Sequence, residues 1–130
     1  MMPVFIELEE VLFVQKDQVE RFGGSVGVRD MGLLESALAM PQASFGGQFL
    51  HGDLFEMAAA YLFHIVQNHP FIDANKRTAF VVAASFLVLN GRELTATNDA
   101  VVDLTLSVAR GKTSKSAVAE FFRKHFRKAR

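Results

Sequence analysis

Residues 69–91, HPFIDANKRTAFVVAASFLVLNG, decide how the chain folds. Within them, residues 79–89 are almost wholly apolar, and periodicity alone does not distinguish a buried helix from a buried strand there. Length favours a helix over residues 75–90, because roughly fourteen residues lie between its capped start and Gly91, a typical C-terminal stop. A helix that is apolar on every side is typical of a domain centre, so we expect it to be buried on all sides.

The segments before this helix predict three more helices, over residues 7–22, 33–40 and 54–68. The third of these follows Asp53, an N-cap with a glutamate three residues on, and ends before Pro70, which cannot extend the hydrogen-bond ladder. Residues 4–6 are either a short strand or an extended lead-in. Irregular connections are expected over residues 27–32 and 42–52.

Two further helices are predicted after the central one. Thr97 or Asn98 is the N-cap of a helix that runs to Arg110, and Ser114 is the N-cap of a last helix that runs to about Phe126. The expected architecture is an all-α, six-helix domain that spans residues 1–130 and contains no convincing sheet.

Composition excludes several classes of function. Half of the 130 residues are hydrophobic, which supports one real core, and there are no cysteines for disulfides, thiolate metal sites or a nucleophile. The 14 basic and 14 acidic residues cancel, so general binding to nucleic acid is not expected. We see no signal peptide, and the longest apolar run is shorter than the roughly 20 residues of a membrane span. The expected location is the cytoplasm, without membrane attachment.

Five side chains that can take part in catalysis or ligand binding fall within residues 69–77. A helix N-terminus is an anion site, and Lys76 and Arg77 oppose the helix dipole there unless a phosphate offsets them. Asn75 can cap the helix and donate to a phosphate, and Asp73 is a hard oxygen ligand suited to Mg²⁺. His69 can accept a proton near neutral pH. The plain alternative is a helix stop, an N-cap and a solvated helix end.

The string HPFIDANKR resembles the Fic/Doc signature H-x-F-x-[D/E]-[A/G]-N-[K/G]-R. Residues 21–24, 29–38 and 86–91 are also similar to segments of Doc proteins, so the likeness covers nearly the whole chain. The resemblance implies a helical fold in which the signature loop and the next helix N-terminus bind the phosphates of ATP. It implies the following roles: His69 is the general base, Phe71 anchors the loop, Asp73 holds Mg²⁺, and Asn75, Lys76 and Arg77 contact the phosphates.

Lys76 is the position that separates two chemistries within this family. Most Fic proteins have glycine there and transfer AMP, whereas Doc members have lysine, which implies transfer of the γ-phosphate. The resemblance therefore implies a toxin that phosphorylates a serine or threonine of a translation factor, elongation factor Tu in the best-known case, and halts translation. Adenylylation of a protein hydroxyl is the alternative.

The resemblance also implies two partners. Residues 42–52, with Ser44, Gly46 and Gly47, match in position the flap that holds the protein target; the plain alternative is a surface loop. An inhibitory [S/T]-x-x-x-E-[G/N] helix is not convincing here, because residues 116–121 end in phenylalanine. Inhibition by a separate Phd-type antitoxin is therefore expected.

The basic residues 123–130 indicate a different class of function, in which they contact RNA or the ribosome and inhibit translation by binding. The plain interpretation is a solvated helix end whose cations suit the dipole. Of the remaining histidines, His64 is interpreted as a core or helix-surface residue, and His51 and His125 as surface residues.

Overall fold

A computed structural model describes residues 2–95 and 98–129, with only the backbone of residue 98. The described part contains six α-helices, as predicted: α1 (Leu8–Phe22), α2 (Met31–Ala39), α3 (Leu54–Asn68), α4 (Asn75–Leu89), α5 (Asn98–Ala109) and α6 (Lys115–His125). A short 3₁₀ turn, Met40–Gln42, follows α2. The mainly helical fold is confirmed.

Four strands of two or three residues accompany the helices, although no convincing sheet is predicted from the sequence. They are β1 (Ser44–Phe45), β2 (Gln48–Phe49), β3 (Arg92–Leu94) and β4 (Phe126–Lys128). Each pair, β1 with β2 and β3 with β4, forms a two-stranded antiparallel sheet. The first is a tight hairpin, because Gly46 and Gly47 adopt φ values of +61° and +81° that a primed turn requires.

The core lies between α3 and its neighbours α4 and α6. Met57, Tyr61 and Phe86 have no exposed surface, and the rings of Tyr61 and Phe86 pack with centroids 5.2 Å apart. The Tyr61 hydroxyl accepts a hydrogen bond from the backbone N–H of Ile6 at 3.0 Å. Residues 4–6 are therefore an extended lead-in rather than a strand, and this bond fixes them to the core.

Local details of three helices differ from the prediction. Helix α2 begins at Met31, inside the expected loop, because the Asp30 side chain caps it by accepting from the Leu33 N–H at 3.0 Å. Helix α4 has the predicted start but is not buried on all sides, since Val88 is 60% exposed. Asp53 caps α3 as expected, whereas the predicted caps of α5, Thr97 and the Asn98 side chain, lie outside the described residues.

Within residues 2–95 and 98–129, no helix combines the length and apolar character that crossing a bilayer requires.

Candidate active site

The signature loop, residues 69–74, turns the chain from α3 into α4. Its two ends are in the left-handed backbone region: His69 has φ +50° and is the C-cap of α3, and Ala74 has φ +63° and is the N-cap of α4. These positive φ values are uncommon outside glycine and persist where the surroundings hold them in place. These values therefore indicate that contacts around the loop hold its two ends in place.

The residues predicted to act as the base, to contact the phosphates and to hold Mg²⁺ line one cleft of about 670 Å³. They are His69, Asp73, Asn75, Lys76 and Arg77. Alanine at the N-cap offers no side-chain hydrogen bond to the first turn of α4, and no other cap is seen in the described part of the chain. The first backbone N–H groups of α4 therefore remain available to an anion.

Asn75 holds the signature loop instead of capping the helix. It is only 6% exposed, its Oδ1 accepts from the Phe71 N–H at 2.9 Å, and its Nδ2 donates to the Phe71 carbonyl at 3.0 Å. The prediction of Asn75 as the cap is wrong, since Ala74 occupies that position. Phe71 itself is fully buried in the core. Its side chain and backbone together fix the centre of the loop.

Residues 23–30, named the strap here, run beside the signature loop and bond to its backbone. The N–H groups of Arg29 and Asp30 both donate to the Pro70 carbonyl, at 2.7 and 3.0 Å. The Ile72 N–H donates to the Gly27 carbonyl at 3.0 Å. The strap satisfies backbone groups that a free loop would leave to water, and it makes the loop a fixed support for the side chains in the cleft.

Asp73 is held by the strap through one carboxylate oxygen. Its Oδ2 accepts from the Ser25 N–H at 2.8 Å. The approach is close, because a Cβ added to Gly24, where φ is +110°, would lie 3.1 Å from the Asp73 Cβ. No hydrogen bond to Oδ1 is formed within residues 2–95 and 98–129. One oxygen is therefore fixed and the other remains available, which suits a carboxylate that holds a hard cation.

The two cations of the first turn of α4 differ in their contacts. Arg77 donates from Nη2 to the Gly23 carbonyl at 3.0 Å, and its guanidinium lies 5.5 Å from the Phe22 ring centre. Lys76 lines the cleft and has no salt bridge in the part of the chain described here. Arg77 is partly committed to the strap, and Lys76 is the freer positive charge.

Sequence reasoning missed three residues that support the site. Ser25 holds Asp73, and Arg29 donates from Nε to the His69 carbonyl at 2.7 Å and from Nη2 to the Asn68 carbonyl at 3.0 Å.

Gln15 is buried in α1 and bonds to both the strap and the loop. The available signal was Gln15 itself, because it lies four residues from Val11 and from Val19 and is thus polar on a core-facing side.

The flap, residues 42–52, contains the first hairpin. Ser44 begins β1, and Gly46 and Gly47 form the turn, with no atoms within 4 Å of a Cβ added to either glycine. Phe45 is 81% exposed. His51, at the end of the flap, is buried rather than on the surface as predicted.

Burial and the charge of Lys115 lower the pKa of the His51 imidazole. His64 is half-buried in α3, with Nε2 3.0 Å from the Lys115 Nζ. Burial and that ammonium lower the pKa of His64 to about 4. His125, predicted to be a surface residue, is partly buried against the Phe121 ring, with centroids 4.3 Å apart.

Comparison with known proteins agrees with this geometry. Residues 5–87 match the family described as Fic/DOC. The chain is 36% identical over 119 residues to the protein named Protein kinase doc from Escherichia phage P1, covering 92% of this chain and 93% of that protein. It is 46% identical over 78 residues to Toxin Doc from Mycolicibacterium smegmatis, covering 60% of each protein. The family match covers more than half of the chain and includes the signature loop and the strap, so the chain belongs to the Fic/DOC family.

Proposed function

We propose that this protein is the toxin of a toxin–antitoxin pair and acts as a protein kinase. It transfers the γ-phosphate of ATP to a serine or threonine hydroxyl of a translation factor, with elongation factor Tu as the expected target. The observation that carries the proposal is the cleft in which the uncapped N-terminus of α4 lies beside His69, Asp73 and Lys76. The printed names of two relatives, a toxin and a protein kinase, support the same conclusion.

The residues of the cleft fit a nucleotide with a divalent cation. The free N–H groups of α4, with Lys76 and Arg77, suit phosphate oxygens, and the free Oδ1 of Asp73 suits Mg²⁺, which would offset phosphate charge. His69 takes the proton of the acceptor hydroxyl. The hydroxyl oxygen then bonds to the γ-phosphorus, the β–γ bridging bond breaks, and ADP leaves. Catalysis is mostly positioning and charge stabilisation.

The reaction is tested with ATP labelled at either the γ or the α phosphate. Purified protein is incubated with Mg²⁺, the labelled ATP and elongation factor Tu, and His69→Ala is the matched control. We expect label to pass to protein from γ-labelled ATP only, and the variant to be slower by about 10²–10⁴-fold. Transfer from α-labelled ATP alone would replace the kinase with an adenylyltransferase.

The partner is expected to be a Phd-type antitoxin whose disordered tail folds on the toxin. Expression of the chain alone should arrest growth, and co-expression of the antitoxin or the substitution His69→Ala should relieve the arrest. Equal arrest by the wild type and the variant would show that toxicity does not depend on His69.

The structure does not favour the alternative of RNA binding through the basic end of the chain. Arg123 forms ion pairs with Asp53 and Glu120, and Arg127 pairs with Glu93. These pairs offset part of the positive charge that would attract phosphates, that of Arg123 and Arg127. A steep loss of RNA binding with increasing salt would be the sign of this second function.

A further inference from the structure

Gln15 makes an unusual set of contacts for a residue in the middle of an amphipathic helix. Its side chain is 2% exposed. Nε2 donates to the Ser25 carbonyl at 3.2 Å and to the Asp73 carbonyl at 3.1 Å, and Oε1 accepts from the Gly27 N–H at 3.3 Å. Both amide protons and the amide oxygen are therefore used, and all three partners are backbone groups of the strap or the signature loop.

These bonds hold Asp73 in place both directly and through the strap. One of them joins the Gln15 amide directly to the Asp73 carbonyl. The other two fix the strap at Ser25 and Gly27, and the Ser25 N–H in turn holds the Asp73 carboxylate through Oδ2. A buried amide keeps its partners in place because an unpaired polar group in the interior is costly. The position of the Asp73 carboxylate therefore depends on Gln15, although the two side chains do not bond to each other.

We infer that Gln15 is a positioning residue for the divalent cation that the proposed phosphotransfer requires. It holds the Asp73 backbone and the strap so that Oδ2 stays on the Ser25 N–H and Oδ1 stays free for the cation. The inference rests on the proposed function, since it assigns the cation to Asp73. Ligand-orienting partners of this kind typically change metal affinity by about 10–100-fold when they are removed.

The test compares Gln15→Met with Tyr61→Phe. Methionine fills a similar volume but can neither donate nor accept these bonds well. Tyr61→Phe is a matched control, because it also deletes a buried hydrogen bond to a backbone group, but that group belongs to Ile6 rather than to the loop or the strap. Urea unfolding measures stability, and Mn²⁺ titration in the presence of a non-hydrolysable ATP analogue measures cation affinity through water-proton relaxation.

We expect Gln15→Met to weaken Mn²⁺ binding by about tenfold and to raise the Mg²⁺ concentration for half-maximal rate by a similar factor. The KM for ATP at saturating Mg²⁺ should change by less than about threefold, because Gln15 does not reach the phosphates. Tyr61→Phe should lower stability and leave both cation measurements unchanged. Equal cation effects in the two variants would overturn the inference, since they would reflect general loosening.

Asp73→Asn separates failure of this inference from failure of the proposed function. If Asp73→Asn abolishes Mn²⁺ binding while Gln15→Met leaves it intact, Gln15 is not a positioning residue and the cation assignment stands. If Asp73→Asn has no effect on Mn²⁺ binding, the assignment of the cation to Asp73 is wrong, and the inference fails with it.

Discussion

The two loops at the ends of α3 are built in opposite ways. The signature loop, after α3, is bonded through its backbone to the strap, to the Asn75 side chain and to Gln15, and its Phe71 is buried. The flap, before α3, is a hairpin of two-residue strands with an 81% exposed Phe45. A fixed support suits groups that must meet a phosphate in a defined geometry, and a hairpin with an exposed tip suits a surface that adapts to a protein.

The largest expected effect comes from removing the side chain that holds the signature loop. Asn75→Leu leaves the N–H and carbonyl of the buried Phe71 without partners, so the free energy of unfolding should fall by about 3–5 kcal/mol. Asn75→Asp keeps the acceptor for the Phe71 N–H but replaces the donor with an oxygen that repels the Phe71 carbonyl, so it should also be destabilising. Urea denaturation measures both. A loss below about 1 kcal/mol for Asn75→Leu would mean that the strap alone holds the loop.

The sequence predicts the helices well because their signals are local. The apolar run after the signature, the N-cap at Asp53 and the stop at Gly91 each lie within a few residues of the boundary that they set. The start of α2 was missed by two residues, because Asp30 was interpreted as part of a loop although it caps the helix. The short strands were missed because two or three residues carry too little periodicity.

The residues that line the cleft were identified from the signature, but their supports were not. Ser25, Arg29 and Gln15 bond to groups of residues 68–73 that lie between 39 and 58 positions away along the chain. No short pattern encodes such pairings. The contacts of Asn75 could not be predicted from its position either. Its position predicted a cap, whereas its amide bonds back to Phe71 because Ala74 adopts the left-handed conformation before it.

The second largest effect should come from Arg29, which holds the backbone of His69. Arg29→Met removes both bonds to the carbonyls at the end of α3, so the backbone that carries the His69 imidazole should be held less firmly and the rate should fall by about tenfold. Because Arg29 is exposed, the unfolding free energy should fall by only about 1 kcal/mol. Arg29→Lys should recover part of the rate. The control Arg21→Met, which removes an exposed pair with Asp17, should not change the rate.

A smaller effect on stability is expected when the pH is lowered, through His64. The pKa of His64 is about 4 in the folded protein, against 6.5 for the unperturbed group, because of burial and the Lys115 charge. Below pH 6.5 the unfolded chain binds a proton that the folded chain does not, so stability falls as pH falls from about 6.5 towards 4. The free energy of unfolding measured in urea should be lower at pH 5 than at pH 7.5, and His64 should account for about 1 kcal/mol of the difference after allowance for its partial exposure.

The substitution His64→Gln tests the source of that pH dependence. The variant should show a shallower decline between pH 7.5 and pH 5, although it is less stable at neutral pH because it loses the contact with Lys115. The depressed pKa of His51, caused first by burial, should leave some decline in the same direction. An unchanged slope would place the effect elsewhere in the protein.

The smallest effect on stability is expected at the tip of the flap. Phe45→Ser removes a ring that already lies in water, so the unfolding free energy should change by less than about 0.5 kcal/mol. If the flap contacts the protein target, the KM for that target should rise severalfold while the KM for ATP stays constant. Phe13→Ser, at another exposed phenylalanine, is the control and should leave both values unchanged. A loss of more than about 1.5 kcal/mol in Phe45→Ser would show a firmly packed flap and remove the contrast, because surface substitutions rarely cost that much.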